Sequence, residues 1–287
     1  MKVVTPFVSV IVPNYNHFPY LEERLNSILN QSYQNFELII LDDKSTDNST
    51  TIINKYSSNP KVSHVILNEE NSGSTFKQWK KGILLAKGEY IWIAESDDSC
   101  SKDFLQRMIK SIIENNSVLA FCQSFQMDEK SNISKKLPIC SPLKRIDGKD
   151  FIKTKLVFNN YIYNASMVVF RKDAIKNEIF EQISKFKYAG DWLFFGEICK
   201  NGKISILQDY LNFFRRHSGN VTNKSVKNGL TFTEGLKVVR KLRNWNPLTN
   251  IKITRVWIYK WKKLNSEYHF SKEINSRIKL LLIKLWF

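Results

Sequence analysis

The sequence lacks long hydrophobic runs and has few cysteines. No window approaches the ~18 uninterrupted apolar residues of a membrane-spanning helix, and residues 1–6 lack the apolar stretch of a signal peptide. The 4 cysteines among 287 residues are widely spaced, without the paired spacing of a metal site or the density of a disulfide framework. We therefore expect a cytoplasmic protein with reduced thiols.

Acidic residues are scarce only near the carboxyl terminus. The net charge is +17, yet residues 1–150 carry 18 Lys and Arg against 18 Asp and Glu, whereas residues 215–287 carry 17 against 3. The excess positive charge thus belongs mostly to the last quarter of the chain. Such a basic segment attracts polyanions, which include nucleic acid, an anionic lipid surface and a phosphorylated acceptor.

Short apolar runs alternate with segments of helical spacing over the first hundred residues. This alternation predicts an α/β fold with a mostly parallel central sheet and flanking helices. A basic, mainly helical extension is expected after residue 220. Strands are predicted near 8–12, 36–41, 62–67, 89–94, 118–126, 163–170 and 211–215, a helix at 191–199, and a loop region at 128–150.

Polar and acidic residues follow three of the predicted strands at the point where each strand ends. Asn14 follows the first strand, Asp42 and Asp43 follow the second, and the run 95–98 follows the fourth. Because loops at the carboxyl ends of parallel strands form the ligand crevice, we expect these side chains along one edge of the sheet. Asp47 is expected instead to cap the next helix.

Three acids within four residues indicate a metal site. Left without a partner, Glu95, Asp97 and Asp98 would repel one another and their pKa values would rise. A divalent cation such as Mg²⁺ or Mn²⁺ removes this conflict, and such an ion bridges the oxygens of a diphosphate. The alternative is an acidic turn before a helix capped by Ser101 or Asp103.

A glycine-containing loop lies before the third predicted helix. Asn71 and Gly73 belong to a short polar run with free backbone N–H groups, and Lys77 lies in the first turn of the helix. Backbone N–H groups and a positive charge at the start of a helix favour a phosphate. Solvated lysines are the alternative.

Four segments together resemble the family 2 glycosyltransferases. They are the runs 8–16, 41–49, 71–73 with 87–90, and 95–98, in the order and at about the spacing of that family. Asp191 and His217 extend the resemblance to about residue 220. The resemblance implies an A-type glycosyltransferase fold and inverting transfer from a nucleotide-diphosphate sugar with a divalent cation. It also implies a glycan or lipid-linked acceptor in polysaccharide or surface glycan assembly.

The resemblance also implies roles for single residues. Asp43 matches the acid that contacts the nucleotide base of the donor. Glu95 lies where the family more often has Asp near the ribose or sugar. Asp191 lies at the position of the catalytic base, although Gly190 precedes it in place of a second acid; a helix N-cap is the alternative for Asp191. The implied donor-binding residues are Pro13, Asn14, Tyr15, Asp43, Asn71, Gly73, Lys77, Glu95, Ser96 and Asp97, and the implied metal ligands are Asp97, Asp98 and His217.

Two other classes of protein stay open from the sequence. A nucleotidyltransferase also combines a parallel sheet with acids, but it usually has a Gly-rich loop after the first strand, which Pro13-Asn14-Tyr15-Asn16 does not supply. The basic tail suggests a nucleic-acid-binding protein. The balanced charge of the first half argues against that function, so we expect no nucleic acid partner.

The segment 221–287 is predicted to be separate from a catalytic domain at 1–220, and it ends in an amphipathic pattern. Apolar residues recur there at helical spacing with basic residues between them, as in a helix that lies on a membrane surface. We therefore expect peripheral contact with the anionic inner face of the cell membrane. The alternative is that the apolar residues of this pattern pack on the rest of the protein. These apolar residues are Ile278, Leu281, Leu282, Leu285 and Trp286.

Overall fold

The computed structural model describes residues 5–217, 225–243 and 247–286. Ten strands in these ranges form one sheet, in the order β3-β2-β1-β4-β9-β6-β10-β5, with β7 paired to β6 and β8 paired to β10. The strands are β1 (Val8–Asn14), β2 (Phe36–Asp42), β3 (Val62–Leu67), β4 (Tyr90–Ile93), β5 (Ser99–Cys100), β6 (Ser117–Met127), β7 (Ile133–Lys136), β8 (Arg145–Asp147), β9 (Val168–Arg171) and β10 (Lys203–Arg215).

Helices lie between most of the strands, and further helices follow β10. A proline in the first turn favours the start of the first helix, and Asn116 ends the fourth helix in the left-handed conformation. The helices are α1 (Phe18–Leu29), α2 (Ser49–Tyr56), α3 (Thr75–Leu85), α4 (Phe104–Asn115), α5 (Gly148–Phe151), α6 (Glu178–Ile183), α7 (Gly190–Cys199), α8 (Leu230–Leu242), α9 (Pro247–Tyr268) and α10 (Lys272–Trp286).

The first four strands of the central sheet are parallel to one another, and β6 is parallel to β10. Strands β1 and β2 are buried along their whole length, as expected when helices cover both faces of a parallel sheet. Strand β9 runs antiparallel between β4 and β6. The structure therefore confirms the predicted α/β fold, with its parallel strand ends gathered at one edge.

Three predicted elements differ from the structure. The strand predicted at 211–215 begins already at Lys203. The strand predicted at 163–170 begins only at Val168, because the backbone forms a 3₁₀ turn at Ala165–Met167. The predicted loop region contains β7 and β8, which lie at edges of the sheet. Strand β7 is exposed throughout, so its sequence shows no alternation of apolar and polar residues.

The C-terminal helices pack on the protein through their apolar residues. Ile278, Leu282 and Leu285 are buried, Leu281 is half-buried, and α10 contacts α8, which in turn contacts α7. For these residues the structure shows packing, which was the alternative to a membrane-facing stripe; the side chain of Trp286 lies outside the described residues. Across the ranges given above, no helix has the length and apolar content needed to cross a bilayer.

Candidate active site

Two histidines lie beside Asp97 at the edge of the sheet where the parallel strands end. His17 follows β1, Asp97 follows β4 and His217 follows β10, so three strand ends supply one cluster. His217 Nε2 lies 3.0 Å from Asp97 Oδ2, and one ligand atom from each of the three side chains lies within 4.8 Å of the others. The rings of His17 and His217 meet edge to face at 5.5 Å.

Asp97 and His17 both have lowered pKa values in this cluster. Burial alone would raise the pKa of Asp97, but the hydrogen bond from His217 and the charges of His17 and His217 outweigh burial and lower it. Burial lowers the pKa of His17, against the opposite effect of Asp97. The Ser96 hydroxyl contacts His17 Nδ1 at 2.8 Å and orients the ring. An ionised carboxylate and a neutral imidazole are the forms that bind metals.

Asp98 is a hydrogen-bond acceptor within the core instead of a member of this cluster. Its Oδ2 accepts hydrogen bonds from Asn164 Nδ2 at 2.5 Å and Ser166 Oγ at 2.6 Å, and its Oδ1 accepts one from Arg215 N at 2.9 Å. Burial and the nearby charge of Asp97 raise the pKa of Asp98 to about 7. Of the three metal ligands predicted from sequence, the structure brings together Asp97 and His217, and it adds His17 where sequence placed Asp98.

Arg215 holds the acidic loop to two other segments. Its guanidinium is fully buried and donates to Asp97 O at 2.7 Å, to Asp128 O at 3.0 Å and to Ser131 Oγ at 2.9 Å. A further bond to Glu23 Oε2 at 2.6 Å pairs its charge. All three guanidinium nitrogens therefore contact protein oxygens, and Arg215 positions the backbone of Asp97.

Glu95 lies at the border of the same crevice, half-buried. Trp79 Nε1 donates to Glu95 Oε1 at 3.0 Å, and the backbone N–H of Glu95 donates to Ser166 Oγ at 3.1 Å. Burial, together with the charges of Asp97 and Asp98, raises the pKa of Glu95 to about 8.

Asp43 fixes the loop that joins β3 to α3. Its Oδ1 accepts hydrogen bonds from Asn68 Nδ2 at 2.7 Å, Ser72 N at 2.9 Å and Gln78 Nε2 at 2.7 Å. Its Oδ2 accepts one from Ser72 Oγ at 2.8 Å. The buried Asp43 carboxylate, which the sequence resemblance assigns to contact with the nucleotide base, thus holds the loop around it.

The glycine-containing loop is held by backbone contacts. Asn71 Nδ2 donates to Asp43 O at 2.8 Å and its Oδ1 accepts from Gly73 N at 2.8 Å, while Lys77 Nζ donates to Ser72 O at 3.0 Å. Gly73 has a φ of +70°, which favours glycine at this turn. Through Asn71 this loop lies beside Asp43, at the end of β2.

The side-chain amide oxygen of Asn14, Oδ1, is buried and has no hydrogen-bond partner among the described residues. The amide of Asn14 donates to Asp42 Oδ1 at 2.7 Å and Ser45 Oγ at 3.2 Å, whereas its Oδ1 accepts no hydrogen bond there. Pro13 is buried within β1 and Tyr15 is 46% exposed. An unpaired buried acceptor is costly, so Asn14 Oδ1 is suited to a donor group from a ligand or water.

Asp191 lies in the first turn of α7, half-buried. Its Oδ1 accepts a hydrogen bond from Trp192 N at 2.7 Å, and burial raises its pKa to about 7, with a smaller contribution from the charge of Glu234. Gly190 packs against Phe76, whose ring atoms would lie 2.5 Å from an added Cβ. This contact explains why glycine, and no second acid, precedes Asp191.

Helix α7 is linked to the acidic crevice by aromatic packing. Phe194 of α7 lies against Trp79, with ring centroids 5.5 Å apart, and Trp79 donates its indole hydrogen bond to Glu95. Asp191 is therefore on a helix that packs directly behind the residues at the end of β4.

Sequence reasoning missed two residues of this site. His17 and Trp79 have no motif of their own, and each contacts a partner distant in sequence. A signal existed only for His17, which directly follows the polar loop at the carboxyl end of β1, the same kind of position as Asp97.

Comparison with known proteins identifies the family. The sequence profile described as Glycosyl transferase family 2 matches residues 9–179, so the chain belongs to this family and is a glycosyltransferase. This membership excludes the nucleotidyltransferase alternative as the main activity.

Two relatives and one solved structure illustrate the similarity. TuaG of Bacillus subtilis, a glycosyltransferase named for teichuronic acid biosynthesis, is 37% identical over 116 residues, which are 40% of this chain and 46% of TuaG. The poly(ribitol-phosphate) β-N-acetylglucosaminyltransferase TarP of Staphylococcus aureus is 30% identical over 77% of this chain and 68% of TarP. The crystal structure of S. aureus TarS 1–349 with UDP-GlcNAc has a TM-score of 0.73 at 18% identity, and covers 99% of this chain and 82% of TarS 1–349. The TarS similarity concerns the fold and confirms the A-type architecture.

Proposed function

We propose that this chain transfers a sugar from a nucleoside diphosphate sugar to a hydroxyl of a surface glycan or a lipid-linked precursor, with inversion at the anomeric carbon. The observation that carries the proposal is the convergence of His17, Asp97 and His217 beside Glu95 at the strand ends. TuaG and TarP are named for cell-surface polymers, and TarS 1–349 was solved with UDP-GlcNAc. We therefore propose UDP-N-acetylglucosamine as the first donor to test.

A divalent cation is part of this proposal, and the donor set fits one. Asp97 offers an ionised carboxylate oxygen, and His17 and His217 offer imidazole nitrogens. A bound cation would stabilise the negative charge that develops on the departing diphosphate. Mg²⁺ prefers oxygen ligands, so of the two cations expected from sequence, Mn²⁺ suits a site with two imidazoles better.

Asp191 is the proposed base. The hydrogen bond from Trp192 N is made to its Oδ1, and a pKa of about 7 leaves a substantial ionised fraction at neutral pH. A carboxylate with a pKa near the working pH is suited to take the proton of an acceptor hydroxyl as that oxygen attacks the anomeric carbon. One base is sufficient for a single displacement, without a covalent enzyme intermediate.

Donor binding is proposed at the adjoining loops. The nucleotide base and ribose are proposed to contact the unpaired Asn14 Oδ1 and the loop held by Asp43. The phosphate oxygens are proposed to contact Gly73 and Lys77. Ser96 contacts His17 of the proposed cation site, and Glu95 contacts Trp79 of α3, the helix that follows this loop.

Calorimetry tests the metal and donor site. UDP is expected to bind in the presence of Mn²⁺, and Asp97→Ala is expected to abolish this binding. His17→Ala is expected to weaken Mn²⁺ binding by about tenfold or more, because a ligand is lost. His64→Ala, which changes an imidazole on β3, serves as the matched control. Unchanged binding in Asp97→Ala, or failure of uridine, guanosine and thymidine diphosphates alike, would contradict the site assignment.

A further inference from the structure

Glu234 is one of only three acidic residues in the basic segment 215–287. It lies in the first turns of α8, and its carboxylate accepts hydrogen bonds from three consecutive backbone N–H groups. Its Oε2 accepts from Tyr188 N at 2.8 Å and Ala189 N at 2.9 Å, and Lys187 N lies 3.0 Å from Oε1 and 3.2 Å from Oε2. One side chain of α8 thus holds the whole segment that leads into α7.

The start of α7 has a reason to need an acceptor. The backbone N–H groups at the start of a helix have no partner within the helix, and the same end carries partial positive charge. Ala189, the N-cap residue of α7, has no side chain that could accept a hydrogen bond. Glu234 brings a carboxylate to this end from a helix more than forty residues further along the chain, and it binds the N–H of Ala189 and of the two residues that precede the helix.

Helices α8 and α7 are packed closely enough to fix this contact. Gly196 of α7 lies against Leu242, where an added Cβ would be 2.6 Å from a methyl carbon. Gly235, next to Glu234, leaves room for Trp192, whose ring atom would be 3.1 Å from an added Cβ. Trp192 also stacks on Trp257 of α9 with centroids 6.1 Å apart. The carboxylate of Glu234 therefore has a defined position relative to α7.

We propose that Glu234 is a positioning residue for glycosyl transfer: it holds the backbone at 187–189 so that Asp191 directs its second carboxylate oxygen at the acceptor hydroxyl. This inference rests on the proposed role of Asp191 as the base. It makes the C-terminal helices part of the catalytic unit, in contrast to the separate extension expected from sequence.

Steady-state kinetics of full-length variants test the proposal, with kcat expressed per UDP-binding site counted by calorimetry. Glu234→Ala is expected to lower kcat about 10- to 100-fold, because small misplacements of a reacting group cost that much. The KM for the donor is expected to stay within about twofold, since the donor site does not include this contact. Glu234→Gln keeps one carbonyl acceptor and is expected to recover part of the lost kcat. Lys237→Ala, an exposed change on the same helix, is the matched control.

The outcomes separate this inference from the proposed function. The positioning role is overturned if Glu234→Ala has the kcat per site of the wild type. It is also overturned if the KM for the donor changes while kcat does not. If Glu234→Ala does not fold, Glu234→Met, which keeps the length of the side chain but has no oxygen acceptor, decides: a reduced kcat supports the role and a wild-type kcat overturns it. Asp191→Asn is measured alongside. Full activity in that variant contradicts the proposed base, whereas an inactive Asp191→Asn with an unaffected Glu234→Ala contradicts only the inference about Glu234.

Discussion

The protonation state of Asp191 sets the pH range in which the proposed base can work. Burial raises the pKa of Asp191 to about 7, well above the usual value for an aspartate. The base must be deprotonated to accept a proton, so kcat is expected to rise as the pH increases through about 7. A pH profile of kcat between pH 5 and pH 9 measures this limb.

Asp191→Asn supplies the comparison for that profile. The amide cannot take up the proton, so the variant is expected to lose about 100-fold or more in turnover while it still binds the donor. A variant that keeps more than about a tenth of wild-type turnover would show that another group is the base.

Local sequence patterns identify the acids at the strand ends but not the direction in which each one points. Asp97 and Asp98 are neighbours, yet Asp97 joins the histidine cluster while Asp98 is bound by Ser166 and Asn164. Those partners lie 68 and 66 residues away, and no local pattern encodes such contacts. The assignment of the donor-binding residues therefore stays a prediction, supported by their proximity in the structure.

At the scale of the elements, α7 depends on a glycine at its first position. Gly190→Ala would place a methyl group 2.5 Å from ring atoms of Phe76, so either the ring or the start of α7 must shift. We expect a loss of about 1–3 kcal/mol in the free energy of unfolding and a lowered kcat, because Asp191 moves with the helix. Thermal denaturation and kinetics, with the exposed Lys185→Ala as control, measure both. A variant as stable and active as the wild type would show that the turn adapts without cost.

The elements that sequence predicts best are those with continuous apolar runs. Strands β1, β2 and β4 are fully buried, so their residues are nearly all apolar and their ends are sharp. Strand β9 begins later than predicted, because the polar side chains of Asn164 and Ser166 bind Asp98 and the backbone turns there. The exposed β7 has no apolar pattern to detect.

At the scale of the whole molecule, the charge is uneven and the C-terminal helices carry most of the excess. Ile278, Leu282 and Leu285 are buried, whereas the basic residues of α10 are exposed. Leu280 and Ile283 of the same helix are exposed. We therefore propose that any contact with an anionic membrane is made mainly by charge, without insertion of the buried residues Ile278, Leu282 and Leu285. This differs from the amphipathic insertion that the sequence pattern favours.

Co-sedimentation with anionic vesicles tests the membrane contact. The full-length protein is expected to bind phosphatidylglycerol vesicles, and binding is expected to fall as salt is raised, because ion screening weakens surface attraction. A triple change of Arg277, Lys279 and Lys284 to Glu is expected to reduce binding, while Leu280→Ala on the exposed face serves as control. Salt-independent binding, or none by the wild type, would contradict a charge-based contact.

The most direct test of the account is the stereochemistry of sugar transfer from UDP-N-acetylglucosamine, with Mn²⁺ present, to the hydroxyl of an added glycan acceptor or to water, followed by proton NMR. We predict release of UDP and a product whose anomeric configuration is opposite to that of the donor, with both signals lost in Asp97→Ala and Asp191→Asn. A product that keeps the configuration of the donor, or turnover that persists in both variants, would contradict an inverting transfer that uses Asp97 and Asp191.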